Sequence, residues 1–243
     1  MPEATKAKTQ LIVALDQLNE KQAFGLVDDL SSAGVSWFKV GLELFVKSGP
    51  ELVKKLKAKK LRIFLDLKYH DIPNTVFQAV KSAVDLDVDL LTVHCTGGVT
   101  MLKAAAEAAQ GSSTKVIGVT VLTSHSGSEF IELSKCWGVS SLEKSEAVQR
   151  FLEMAQKAAI HGVVCPVPDL EVLPTKLKEP GFLFVTPGIR FSENEMNDQR
   201  STASPAAAVK AGSTHLVVGR PITADKSPAQ AAQRFLSEIE RVS

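Results

Sequence analysis

The segment Leu61-Arg62-Ile63-Phe64-Leu65-Asp66-Leu67-Lys68-Tyr69-His70-Asp71-Ile72-Pro73-Asn74-Thr75 is a run of strand residues that ends in alternating charges. Successive side chains of a strand point to opposite faces, so Asp66 and Lys68 share one face while Ile63, Leu65 and Leu67 share the other. A buried charge is costly unless it is paired. Acid, base and acid at one strand end can therefore assemble a reactive site, or form a solvated ion pair in a loop.

Lys39, in Trp37-Phe38-Lys39-Val40-Gly41, stands inside an otherwise apolar run. It is either an edge lysine that snorkels to water or the partner of an interior carboxylate, and Asp16 and Asp66 are available partners. A third signal lies in His215-Leu216-Val217-Val218-Gly219-Arg220-Pro221-Ile222. Gly219 lets a ligand approach the backbone, Arg220 can fork two hydrogen bonds to a phosphate, and a helix start adds N–H donors. Upstream, Thr186-Pro187-Gly188-Ile189-Arg190 leads into a polar stretch with Asn197-Asp198-Gln199-Arg200. That stretch is a candidate lid in which Arg190 and Gln199 close on a phosphate; the alternative is a plain surface loop.

Other chemistries have no signal. No Gly-x-Gly-x-x-Gly, Gly-Lys-Ser/Thr or Gly-x-Ser-x-Gly motif occurs, and His70, His125, His161 and His215 lack metal-ligand spacing, so the chemistry rests on side chains or on a metal that the spacing does not reveal. His94 reads as a hydrogen-bonded core residue. Cys95, Cys136 and Cys165 are far apart and form no Cys-x-x-Cys pair, which reads as reduced thiols in a cytoplasmic protein. Lysine plus arginine is 28 against 27 for aspartate plus glutamate, so no global field favours nucleic acid or an anionic membrane. Met1 to Gln10 are polar, with no secretory signal, and no apolar run approaches the roughly 18 residues of a membrane span.

The elements that must position these groups are eight β-rich runs: Leu11–Asp16, Trp37–Gly41, Leu61–Lys68, Leu90–Cys95, Val116–Thr123, Val163–Pro166, Phe182–Thr186 and His215–Gly219. Helical periodicity separates them, as in Ala23, Leu26, Val27 and Leu30, or Val148, Phe151, Leu152, Ala155 and Ala159. This alternation predicts a parallel sheet with right-handed crossovers, closed into a (β/α)8 TIM barrel; an open doubly wound sheet is the alternative. Residues 1–243 read as a single domain, with 1–9 a flexible N-terminal tail. Ser124–Ser140 and Gly188–Ser204 show no clear strand or helix. Catalytic groups of such barrels come from the C-terminal strand ends. Asp16, Lys39, Asp66 with Lys68, and Thr123 lie at or near four such ends. In the first strand Ile12 and Ala14 share the inward face of Asp16, leaving Leu11, Val13 and Leu15 to face helices.

In this order the motifs resemble orotidine 5′-phosphate decarboxylase of the bacterial type. The resemblance runs from Ala14-Leu15-Asp16 through Phe38-Lys39-Val40-Gly41, Asp66 to Thr75 and Thr186 to Arg190, ending at Val218-Gly219-Arg220-Pro221. It implies conversion of orotidine monophosphate to uridine monophosphate and carbon dioxide, without cofactor or metal, in pyrimidine biosynthesis. It also implies a homodimer with shared active sites. Lys68 would protonate C6, Asp66 would face the substrate carboxylate, Asp71 would serve the other subunit, and Lys39 would complete the charge chain. Asp16 would bind ribose hydroxyls, Ile72 and Thr75 would line the neighbouring nucleotide site, and Thr123 would recognise the pyrimidine. Arg190, Gln199, Gly219 and Arg220 would hold the phosphate. Tyr69 stands where phenylalanine is commoner, Phe191 where proline is often seen, and Cys165–Leu173 matches less well.

Two other readings compete. A hexulose-phosphate type of enzyme shares Asp-x-Lys-x-x-Asp but carries an acid on the second strand as a magnesium ligand, where this chain has Lys39. A non-catalytic nucleotide-phosphate binding barrel would use Arg220 and leave the charged strand structural, yet a pure binder gains little from three charges that it must desolvate.

Overall fold

The structure is a computed structural model that describes residues 8–139, 141–191 and 202–242. Eight parallel strands close on themselves in sequence order: β1 (Gln10–Ala14), β2 (Trp37–Gly41), β3 (Arg62–Tyr69), β4 (Leu90–His94), β5 (Lys115–Val119), β6 (Gly162–Val164), β7 (Leu183–Thr186) and β8 (His215–Val218). The last strand returns to the first through pairs such as Leu11 with Leu216. The expected barrel is therefore formed, and the open sheet is not.

Helices follow the strands as α1 (Glu20–Ser32), α2 (Leu42–Ala58), α3 (Pro73–Val84), α4 (Gly98–Ala108), α5 (Gly127–Lys135), α6 (Lys144–Lys157), α7 (Val167–Val172), α8 (Pro205–Ala211), α9 (Arg220–Thr223) and α10 (Pro228–Val242). Their starts are chemically marked. Asn19 and Gln22 cap the first turn of α1 reciprocally, at 2.9 and 3.0 Å. α2 breaks at Gly49-Pro50, where Gly49 has φ +67°.

Two apolar layers follow from strand parity. Ile12, Ala14, Phe64, Leu90, Ile117, Val185 and Val217 pack inside the barrel. Leu11, Val13, Leu15, Ile63, Leu65 and Leu67 belong instead to the layer between strands and helices. Both alternations are those expected from the sequence. The inner layer closes the barrel beneath its C-terminal mouth, so polar groups at the strand ends stand over an apolar floor.

Several boundaries differ from expectation; β1 ends at Ala14, short of Asp16, and β6 ends at Val164, short of Pro166. β5 stops at Val119, so Thr123 lies in the following loop, where His125 N donates to Leu122 O at 3.1 Å. The stretch expected to lack regular structure contains α5, started by a capping box between Ser126 and Glu129. Lys8 and Thr9 are held to the body: Lys8 pairs with Glu240, and the Thr9 hydroxyl donates to Ser213 O at 3.0 Å. No helix among the described residues is long and apolar enough to cross a membrane.

Candidate active site

The strand ends bring four charged side chains into one chain of contacts. Lys39 Nζ lies 2.7 Å from Asp16 Oδ1 and 3.6 Å from Asp66 Oδ2, and Lys68 Nζ lies 2.8 Å from Asp66 Oδ1. Lys39 and Asp66 are buried, only 7% and 9% exposed. Lys39 is therefore the partner of two carboxylates, the buried Asp66 and the half-exposed Asp16, and not a snorkelling edge residue. Gly41 makes room for the first pair, since a Cβ there would stand 2.6 Å from Asp16 Oδ1.

The β3 end departs from a regular strand. β3 pairs with β4 through Leu65 and Leu91, then resumes at Tyr69 and Val93, so Asp66, Leu67 and Lys68 stand opposite Thr92 alone. Lys68 takes φ +51°, a left-handed conformation that costs a non-glycine residue about 1–2 kcal/mol. Its N–H donates to Thr92 Oγ1 at 2.8 Å, and the same hydroxyl donates to Asp66 Oδ1 at 3.0 Å.

Burial is the largest influence on Asp66 and by itself would raise its pKa. The ammonium groups of Lys39 and Lys68, with hydrogen bonds from Lys68 and Thr92, outweigh it and hold the carboxyl below its ordinary value. Beside them His94, expected as a hydrogen-bonded core residue, is only half-buried and meets His70 ring to ring at 5.5 Å. Burial first, then His70 and Lys68, lower its pKa and favour the neutral imidazole.

Across the mouth, the segment after β7 supplies a second cationic cluster. Gly188 turns at φ +77°, and the chain is pinned where Arg190 N donates to Ala203 O at 3.0 Å and Ala203 N to Gly188 O at 3.1 Å. Phe191, the next residue, packs on Phe235 with ring centroids 4.6 Å apart, and the Arg234 guanidinium covers it at 4.7 Å. Arg220 opens α9 directly after Gly219.

The charge chain of Asp16, Lys39, Asp66 and Lys68, with Arg190, Gly219 and Arg220, lines a cleft of about 300 Å³. Among the described residues its charged lining is Lys39, Lys68, Arg190 and Arg220 against Asp16 and Asp66. More cations than carboxylates suit an anionic ligand, and Val119, Val121, Val164 and Val185 give it an apolar wall. A lysine amid carboxylates over an apolar floor can stabilise a carbanion and supply a proton, while the arginines hold a remote anion.

Residues 9–235 match the model of the Orotidine 5'-phosphate decarboxylase / HUMPS family. The chain belongs to this family. Its curated relatives include orotidine 5'-phosphate decarboxylase of Halorhodospira halophila, 44% identical over 232 residues, covering 95% of each chain. The enzyme of the same name from Saccharophagus degradans is 42% identical and covers 96% of each chain. The crystal structure of orotidine 5'-phosphate decarboxylase from Lactobacillus acidophilus superposes with a TM-score of 0.79 at 36% identity, over 95% of this chain and 99% of that one.

Of the residues singled out in the sequence, Asp16, Lys39, Asp66, Lys68, Thr123, Arg190, Gly219 and Arg220 line the cleft. Asp71, Ile72 and Thr75 do not; they are exposed where β3 passes into α3, and Asp71 Oδ1 accepts from Ile72 N at 2.7 Å. Gln199 lies outside the described residues, as does most of the candidate lid. Sequence reading missed Gln17, Thr223 and Thr92. Gln17 and Thr223 sit one and three residues from Asp16 and Arg220 and line the cleft with them. Thr92 carried a fainter signal, a hydroxyl among apolar residues on the inward parity of Leu90.

Proposed function

We propose that this chain decarboxylates orotidine 5′-phosphate to uridine 5′-phosphate and carbon dioxide, completing the pyrimidine nucleotide. The observation that carries the reading is the position of Lys68, its ammonium 2.8 Å from Asp66 Oδ1 at the edge of the cleft. The bond between C6 and the carboxylate breaks, the electron pair stays on C6, and carbon dioxide leaves. Lys68 stabilises the developing negative charge and then gives its proton to C6, after which solvent reprotonates the amine. Asp66 and Lys39 hold Lys68 in place, and Asp16 meets the ribose hydroxyls.

Thr123 reads the pyrimidine, and Arg190, Gln199, Gly219 and Arg220 hold the phosphate, whose binding energy serves the reaction at the distant carbon. Asp71, Ile72 and Thr75 are exposed in the single chain, which fits a homodimer in which they complete the partner's site. Residues 1–243 then act as one barrel domain. The reduced state of Cys95, Cys136 and Cys165 fits a cytoplasmic enzyme.

The family also contains the hexulose-phosphate arm, whose acid on the second strand serves as a metal ligand. Lys39 occupies that strand here, and its ammonium would repel a divalent cation. Loss of orotidine 5′-phosphate absorbance on adding purified protein tests the proposal. Turnover is expected to survive exhaustive chelation. Activity lost to the chelator and restored by magnesium would move the chain to the sugar-phosphate arm, and binding of uridine 5′-phosphate without turnover would make it a binding barrel.

A further inference from the structure

The hydroxyl of Thr92 occupies a place that a backbone group normally fills. Where three residues of one strand face a single residue of its neighbour, the ladder cannot satisfy every backbone N–H of the bulge. Here Asp66, Leu67 and Lys68 face Thr92, and the Lys68 N–H is taken by Thr92 Oγ1 at 2.8 Å. The hydroxyl spends its own proton on Asp66 Oδ1 at 3.0 Å, the same oxygen that holds Lys68 Nζ at 2.8 Å. Thr92 is fully buried, so water offers neither bond an easy replacement. One atom thus ties the backbone of Lys68 to the carboxylate that receives its side chain.

Lys68 needs such a tie because its φ of +51° is disfavoured for a residue with a Cβ. Without an acceptor for its N–H, this segment can relax toward a regular strand, which would carry the ammonium away from its present position. We propose that Thr92 is a positioning residue: by accepting from Lys68 N–H and donating to Asp66, it holds the β3 bulge that aims the Lys68 ammonium. Its effect on turnover rests on the decarboxylase reading, whereas its effect on the geometry of Lys68 does not.

Three proteins separate positioning from plain packing. Thr92→Val keeps the shape and removes both hydrogen bonds, Thr92→Ser keeps both bonds and loses a methyl, and the wild type is the reference. Thr92→Val is expected to bind uridine 5′-phosphate within about threefold of wild type while kcat falls about 10- to 100-fold, the scale of an ångström-sized misplacement. Thr92→Ser is expected to recover most of kcat. A crystal structure of Thr92→Val should show Lys68 Nζ out of hydrogen-bonding range of Asp66. If that structure keeps both groups in place, if kcat is unchanged, or if serine is as poor as valine, the proposal is overturned. Absence of turnover in the wild type would count against the decarboxylase reading, and the crystal structure would still decide the role of Thr92. Should Thr92→Val fail to fold, Thr92→Cys, with its weak hydrogen-bonding sulfur, carries the same expectations.

Discussion

Lys39 and Gly41 share one space at the end of β2: a Cβ on Gly41 would stand 2.9 Å from the Lys39 ammonium. The backbone of Gly41 is extended, with φ −92° and ψ 179°, so alanine would meet no conformational barrier there. The glycine is required by the ion pair above it, not by the turn.

Gly41→Ala should therefore act on the charge chain. Displacing the contact between Lys39 and Asp16 is expected to lower kcat/KM for orotidine 5′-phosphate about 10- to 100-fold, with little change in stability because the atoms that must shift are the ends of two flexible side chains. Steady-state kinetics and denaturant unfolding measure the two effects. Wild-type kinetics in the variant would show that the pair tolerates displacement.

Arg220→Ala should weaken the enzyme through the phosphate alone. One lost charge-assisted contact is expected to cost about 1.5–3 kcal/mol in kcat/KM. Orotidine lacking the phosphate should lose little further activity in the variant. Equal damage to nucleotide and nucleoside would place the phosphate grip elsewhere.

Asp71 is exposed in the single chain and stands apart from the groups lining its cleft, which motivates a subunit-exchange experiment. Lys68→Ala and Asp71→Ala homodimers should each be nearly inactive. In a mixed dimer with shared sites, one site carries both changes and the other neither. Random exchange in a two-fold dimer then leaves about a quarter of all sites intact, and activity should reappear. Proven exchange with no recovery would mean that Asp71 serves its own chain.

His215 predicts a pH dependence of stability at the opposite end of the barrel. It is buried beside Trp37, with ring centroids 5.2 Å apart, and burial depresses its pKa from 6.5 to about 4. Because the folded pKa lies below the unfolded one, the unfolded chain binds the extra proton between those values. The contribution is thus complete above about pH 6.5 and falls progressively as the pH drops toward about 4, with about 3 kcal/mol lost in all. Denaturant unfolding of wild type and His215→Gln at both ends of this window checks the effect. Parallel stability curves for the two proteins would refute it.

The run from Asp66 to Asp71, Lys39 within an apolar strand, and the glycine-arginine turn at 219–220 were legible in the sequence. So were the eight-fold alternation of strand and helix and the two faces of β1, with Ile12 and Ala14 inside the barrel and Leu11 and Val13 outside it. Backbone periodicity acts over a few residues, and a short window of sequence contains all of it. α5 was also written locally, in the Ser126 and Glu129 capping box, but the helix is short and buries only Phe130 and Ser134, so few apolar repeats announced it. Tertiary structure decided the rest. The register of β2 against β1 determines that Lys39 reaches Asp16 across 23 positions of chain, and the mismatch of β3 with β4 makes Thr92 the partner of both Asp66 and Lys68. Barrel closure brings Arg190 and Arg220 to the same mouth, while the exit of β3 into α3 carries Asp71 away from it. Side-chain type and parity are local properties of a strand; the distance between two strand ends depends on how the whole sheet closes.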